Sequence, residues 1–311
     1  MKIFIENGEG HIVTERMTPH WKKMGVTVQC YDTRGCDVHL AFVHLTRGSG
    51  LPTVLRLDSV YYDADTNYNA RNSGISQAHA IADAIIYQSN SSKQMCERYL
   101  TPSKKSAKKF VIYNGVDKDW CGPHKEIAGD HIIVSAKWRR HKRLKETIDL
   151  FREYVKYFPK ATLHIFGMLH DNVPVKHPNI IYYGHVDRKD FAYHHSIADF
   201  TIHLSKKDSC PNSVVEAIGA GLPVITTDAC GGSTEMCQMT EGCIIVPGED
   251  KSIEPCYPYR DSYNVISPKV QEGLLDAMIQ VTKEKPRVKL PQVLTAEEQA
   301  VRYLEVFKSL K

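Results

Sequence analysis

No stretch of this 311-residue chain approaches the roughly 18 consecutive apolar residues that a membrane span needs. The first residues, MKIFIENGEGH, hold one short strand-like apolar run before turning polar, so a secretory leader is not expected. Cys-x-x-Cys spacing is missing among the nine cysteines at 30, 36, 96, 121, 210, 230, 237, 243 and 256. With their odd number, this argues against a zinc knuckle and a disulfide framework and favours a reducing, cytoplasmic setting. Charge of one sign is weak too. A net +4 is too mild for a nucleic-acid-binding face, and the fifteen histidines show no zinc spacing. ENGEGH lacks a full Gly-x-Gly-x-x-Gly fingerprint, which excludes a nicotinamide site there.

What is present is ordinary globular composition, 42% hydrophobic and 24% charged, in a chain long enough for two domains. Strand patterns at 2–5, 26–31, 37–43, 53–58, 84–89 and 110–113 accompany helical patterns at 11–24, 69–82 and 90–100. A second series has strands at 132–136, 162–166, 180–183, 200–204, 223–227 and 243–246, with helices at 143–157, 187–197 and 213–220. Such alternation predicts an α/β fold of two doubly wound parallel sheets with helices on both faces. The polar Gly/Pro-bearing segment 114–130 is the expected break, dividing the chain into 1–120 and 121–292. The helical pattern over 293–311 opens with a capping box, Thr295 and Glu298.

Ligands of open α/β sheets bind beyond the carboxyl ends of the strands. At one such end stands DSCPNSVVEAIGAGLPVITTDACGGSTE, residues 208–235. A helix is expected to begin near Ser213 with Asn212 as its cap, and its exposed N–H groups would suit a phosphate. Glu216, placed in the first turn of that helix, would repel a diphosphate and suits neutral hydroxyls such as a ribose diol; the alternative is helix stabilisation alone. A basic cluster, Lys137, Arg139, Arg140, Lys142 and Arg143, follows the first strand of the second series. Cations where a strand gives way to a helix oppose the helix dipole, so they call for an anion, of which diphosphate is the obvious one, or for solvent.

VIYNGVD (111–117), SAKWRRHK (135–142), FGMLHDN (166–172), YYGHVDRKDFAYHHSIADFTIHLS (182–205) and the 208–235 stretch, in this order, resemble the retaining glycosyltransferases of family GT4. The similarity is strong over 110–250, weaker before it, and extends to the terminal helix. It implies the GT-B fold, two Rossmann-like domains facing across a cleft, with the last helix crossing back to the first domain. The implied activity is metal-independent, retaining transfer of a sugar from a UDP- or GDP-sugar to a hydroxyl of a glycan, lipid-linked or small-molecule acceptor. A nucleotide-sugar 2-epimerase and a non-catalytic sugar-nucleotide-binding module are the alternatives.

By the same resemblance, the family's E-x7-E pair falls on Asp208, toward the donor sugar, and Glu216, toward the ribose. The backbone of Cys210, Pro211 and Asn212 would line the sugar and diphosphate, with Ser213 at the helix start. Lys142 matches the family's phosphate-binding lysine, Lys137 stands where an arginine is usual, and Val186 would sit near the base. Asp208 is one methylene shorter than the usual glutamate. Lys137 gives a point charge in place of a fork, which Arg139 would offset.

In the first domain, Gly8 and Gly10 would let a loop approach the donor. Asp58, ending a strand, would face the cleft and contact acceptor or donor; an Arg56–Asp58 ion pair is the structural alternative. Asp-Ala-Asp at 63–65 is a weak metal signal against a metal-independent pattern. TPSKKSAKKF (101–110) reads as a solvated loop, with peripheral contact to an anionic membrane surface as the alternative.

Overall fold

The computed structural model describes residues 1–6, 11–46, 48–117, 119–170 and 174–310. Its internal contacts divide the chain into two compact units, Met1–Asp117 with Ile253–Pro255 and Gln292–Lys311, and Lys118–Ser252 with Cys256–Pro291. Among the described residues each unit holds one six-stranded sheet in which every pairing is parallel.

In the first unit β1 (Lys2–Glu6), α1 (Ile12–Lys23), β2 (Thr27–Gln29), β3 (Val38–Phe42) and β4 (Thr53–Leu57) lead into α2 (Tyr68–Arg71) and α3 (Ser73–Ile81). β5 (Ala84–Tyr87), α4 (Asn90–Tyr99) and β6 (Lys108–Val111) complete the sheet, in the order β2-β1-β3-β4-β5-β6. Strands such as VHLAF are buried at every residue, as expected of a parallel sheet covered on both faces. The single helix expected over 69–82 is interrupted at Asn72. That side chain bonds Tyr61 N–H and Tyr61 C=O instead of continuing the helix surface. β6 begins two residues earlier than the apolar run suggests, because an edge strand tolerates its exposed Lys108 and Lys109. Lys104 pairs with Asp83 and Lys109 with Glu97, so part of the basic 101–110 cluster is neutralised within the unit.

The second unit runs β7 (His131–Ser135), α5 (Leu144–Tyr154), β8 (Thr162–Phe166), β9 (Ile180–Gly184), α6 (Arg188–Ile197), β10 (Phe200–His203) and α7 (Asn212–Gly219). β11 (Val224–Thr227), α8 (Gly232–Gln238), β12 (Ile244–Val246), α9 (Asp261–Asn264) and α10 (Pro268–Glu284) follow. The sheet order is β12-β11-β10-β7-β8-β9. Its core joins strand residues such as Ile132, Ile165 and Ile202 to Phe151 and Tyr154 of α5 and to Leu274 and Met278 of α10. Gly167, in FGMLHDN, has φ 97°, and a Cβ there would lie 2.0 Å from Ala136 O, so the exit of β8 against the loop after β7 requires glycine.

The final helix, α11 (Ala296–Lys308), belongs to the first unit, where Tyr303 and Phe307 pack against Trp21. Thr295 Oγ1 accepts from Glu298 N–H at 3.1 Å, the first half of the expected capping box. Gly115 sits against the start of this helix, and a Cβ there would come within 2.4 Å of Thr295 O. Gly115→Ala is therefore expected to destabilise the protein by about 1–3 kcal/mol, the usual cost of overpacking, measured by urea denaturation. Among the described residues no helix is long and apolar enough to cross a membrane.

Candidate functional site

From β7 the chain builds outward through β8 to β9, then returns to lay β10 on the other side of β7 and continues to β11 and β12. β7 and β10 are therefore neighbours whose connections leave in opposite directions, which opens a crevice beyond their carboxyl ends. Two loops border it, 136–143 after β7 and 204–211 after β10.

These loops bring Lys142 and Asp208 together across 66 positions of sequence. Lys142 Nζ donates to Asp208 Oδ2 at 2.5 Å, and His203 Nε2 stands 3.4 Å from the same oxygen. Burial alone would push the Asp208 carboxyl up, but the Lys142 ammonium and the hydrogen bond and charge of His203 hold it well below the usual carboxylate range. It is an ionised acceptor at neutral pH. The carbonyl of Asp208 accepts from Gly232 N–H at 2.7 Å, which ties the loop to the start of α8. His141, beside Lys142, is pushed down to about 4 by burial and then by the Lys142 charge, and its ring meets Tyr259 edge-on.

The other cations of the 137–143 cluster divide into two groups. Arg140 makes two hydrogen bonds to Glu146, at 2.9 and 2.6 Å, and one to Asp261. Arg143 makes two to Glu249. The expectation that these two arginines call for a diphosphate is corrected: carboxylates of the chain itself take them, Glu146 nearby and Asp261 and Glu249 distant in sequence. Lys137 and Arg139 are exposed, and among the described residues neither has a carboxylate within ion-pair distance.

The cap assignment is corrected as well. α7 begins at Asn212, and Pro211 is its N-cap (φ −68°, ψ 131°), since the proline ring already supplies the extended conformation that precedes a first turn. Glu216 consequently lies in the second turn, buried, while its carbonyl accepts from the Trp120 indole at 2.8 Å. Ser213 is half-buried near the N-terminus of α7, and Cys210 is buried with its thiol 3.7 Å from Met236 Sδ. Val186 is half-buried just after β9, the edge strand two places from β7. Lys206, which sequence reasoning passed over, is buried beside the site with Nζ bonded to Tyr263 O and 3.9 Å from Glu249. The doublet Lys206-Lys207 directly before Asp208 was the available signal.

Residues 126–254, which span both loops and α7, match the family model described as glycosyl transferases group 1. This segment, well under half of the chain, is what is similar to the group 1 glycosyltransferases. Solved structures agree on the fold. HepE of Anabaena, in complex with UDP and glucose, has a TM-score of 0.60 at 13% identity over 99% of this chain and 100% of that one. A glycosyltransferase from Rickettsia africae gives 0.61 at 12% identity over 99% and 98%. The pneumococcal O-GlcNAc transferase GtfA, in complex with UDP and GlcNAc, gives 0.60 at 14% identity; the alignment covers 88% of this chain but only 57% of GtfA. The two six-stranded all-parallel sheets match the GT-B fold of these glycosyltransferase structures. A search of curated protein sequences found no match.

In the first unit, Asp58 follows β4. Its Oδ1 accepts from Arg56, whose guanidinium is buried and also donates to Asn114 Oδ1 at 2.9 Å, and from Gln88. The ion pair is present, yet the Asp58 side chain is 49% exposed, so the same contacts that fix the carboxylate leave it open to solvent. Asp63 of the Asp-Ala-Asp sequence is spent on its own turn, accepting from Asp65 N–H at 3.0 Å. Gly8 and Gly10 lie outside the described residues.

Proposed function

We propose that this protein is a glycosyltransferase of the group 1 kind and that it binds a nucleotide-diphosphate sugar, UDP- or GDP-linked, in the crevice between β7 and β10. It then transfers the sugar with retention to an acceptor hydroxyl. The observation that carries this reading is the Lys142–Asp208 pair at the switch point of the segment that matches the family. HepE and GtfA, both solved with UDP, support a uridine donor as the first to be tried.

Cleavage of the bond between the anomeric carbon and the diphosphate leaves negative charge on the phosphate and positive character on the ring. Lys142 then exchanges Asp208 for phosphate oxygens, joined by Lys137, Arg139 and the first N–H groups of α7, Asn212 and Ser213. Asp208, ionised and released from Lys142, accepts hydrogen bonds from sugar hydroxyls. Glu216 holds the ribose diol, the backbone at Cys210 and Pro211 lines the sugar, and Val186 borders the base. The acceptor hydroxyl attacks from the face the diphosphate leaves and passes its proton to the departing phosphate oxygen. Asp58, oriented by Arg56 and Gln88, binds the acceptor. No step calls for a metal. A cytoplasmic setting suits the nine free thiols.

The test is the stereochemistry of the product. Incubated with α-linked UDP- and GDP-sugars and a panel of glycoside acceptors without added metal, the enzyme is expected to give an α-linked product by NMR. A β-linked product would contradict retention. A 2-epimeric sugar formed without acceptor would replace transfer by epimerisation.

A further inference from the structure

Arg143 closes the loop that carries Lys142 and opens α5. Its backbone is left-handed (φ 57°, ψ 43°), a conformation glycine adopts freely and a residue with a Cβ only at a cost. A glycine would serve the turn better. The chain instead places a guanidinium there, wholly buried, and its partners explain why. Nη1 and Nη2 donate to Glu249 Oε2 and Oε1 at 2.7 and 2.8 Å, and Nη1 also donates to Leu204 O at 3.3 Å. Glu249 Oε2 accepts in addition from Thr227 Oγ1 at 2.7 Å, and the backbone N–H of Glu249 donates to Asp228 Oδ1 at 3.2 Å.

One buried ion pair therefore fastens four segments: the loop after β7, the exit of β10, the end of β11 and the turn after β12. Lys142 is the residue before Arg143, and Asp208 lies four residues beyond Leu204, so both members of the donor-site pair hang from backbone that Arg143 holds. A buried ion pair is a poor device for stability and a good one for fixing geometry.

We propose that Arg143 is a positioning residue for sugar transfer. Through Glu249 it sets the backbone spacing at which Lys142 and Asp208 meet the donor. The inference rests on the function proposed above, and a misplacement of about 1 Å in such a site is enough to cost roughly 10²-fold in rate.

The test uses the full chain with Arg143→Gly and Glu249→Gln combined, which removes both charges of the pair, leaves buried Lys206 its bond to Tyr263 O, and gives the left-handed position to the residue that suits it. Two readouts are taken in protein whose circular dichroism shows it folded. Donor kcat/KM is expected to fall about 10–100-fold, with partial recovery in Arg143→Lys, which keeps a charge but loses the fork. The labelling rate of Lys142 by an amine-reactive reagent, read by mass spectrometry against exposed Lys145, is expected to rise about tenfold as its pairing loosens. An unchanged Lys142 rate, or wild-type kinetics in the double variant, would overturn the positioning role. Failure of the wild type to bind any nucleotide-diphosphate sugar would remove the function instead. The labelling rate would then decide the positioning alone, a raised rate upholding it and an unchanged one ending it.

Discussion

Lys142→Ala is expected to lower kcat for sugar transfer by about 10²–10³-fold, the loss seen when a preorganised donor to developing negative charge is removed. In the proposed reaction, the charge that appears on the departing diphosphate has Lys142 as its best-placed partner. Lys137 and Arg139, exposed and unpaired among the described residues, are held less rigidly. The substitution has a second effect. It leaves the Asp208 carboxylate half-buried with only His203, at 3.4 Å, for compensation. Removing one member of a buried pair costs about 3–5 kcal/mol; with both side chains partly exposed, at 19 and 14%, a smaller penalty of about 1–3 kcal/mol is expected. The two effects separate in Lys142→Ala/Asp208→Asn, which strands no charge: stability recovers while kcat stays low. Full activity in folded Lys142→Ala would remove the electrostatic role assigned to this residue.

Acid is expected to destabilise the second unit through its buried histidines. Burial pushes His164 and His195 down to about 4, and His141 also falls to about 4. His195 donates from Nδ1 to Phe191 O at 2.9 Å, with Trp120 and Phe191 packed against its ring. His164 lies between His131 Nδ1, at 2.9 Å, and Tyr183 Oη, at 3.0 Å, with His194 beside its ring. These rings are neutral in the folded protein and bind protons once unfolded, below their ordinary value of 6.5. Their contribution to stability is complete above that value, shrinks as pH falls toward 4, and changes no further below it. A shift from 6.5 to about 4 corresponds to roughly 3 kcal/mol for each buried ring. Urea titrations followed by tryptophan fluorescence between pH 7.5 and 4.5 are expected to show several kcal/mol of lost stability, and His195→Leu is expected to flatten the slope. Stability independent of pH over that interval would contradict the assignment of neutral buried rings.

The sheets were legible because parallel strands covered on both faces spell continuous apolar runs, as VHLAF and the run at Ile132–Val134 do. Helix α10 went unread although Ser267 and Pro268 mark its start and Val270, Leu274, Ala277, Met278 and Val281 line its buried face. The loop of basic residues was legible as a cluster but not in its division of labour. Arg140 and Glu146 are near neighbours, while Asp261 and Glu249, 121 and 106 positions from their arginines, reach the loop only after the fold forms. The meeting of Lys142 and Asp208 depends likewise on β10 lying beside β7, a consequence of strand order that no local pattern records. At α7 the polar side chain of Asn212 drew the cap assignment, while the proline before it sets the backbone.

The most direct measurement is calorimetric titration of the wild type, Glu216→Ala and Lys142→Ala with UDP, GDP and ADP, without divalent metal. The account predicts that one of these nucleotides binds the wild type and binds each folded variant at least about tenfold more weakly, a loss of roughly 1.4 kcal/mol. Absence of binding to all three, or equal affinity in the wild type and both variants, would contradict a nucleotide site between β7 and β10.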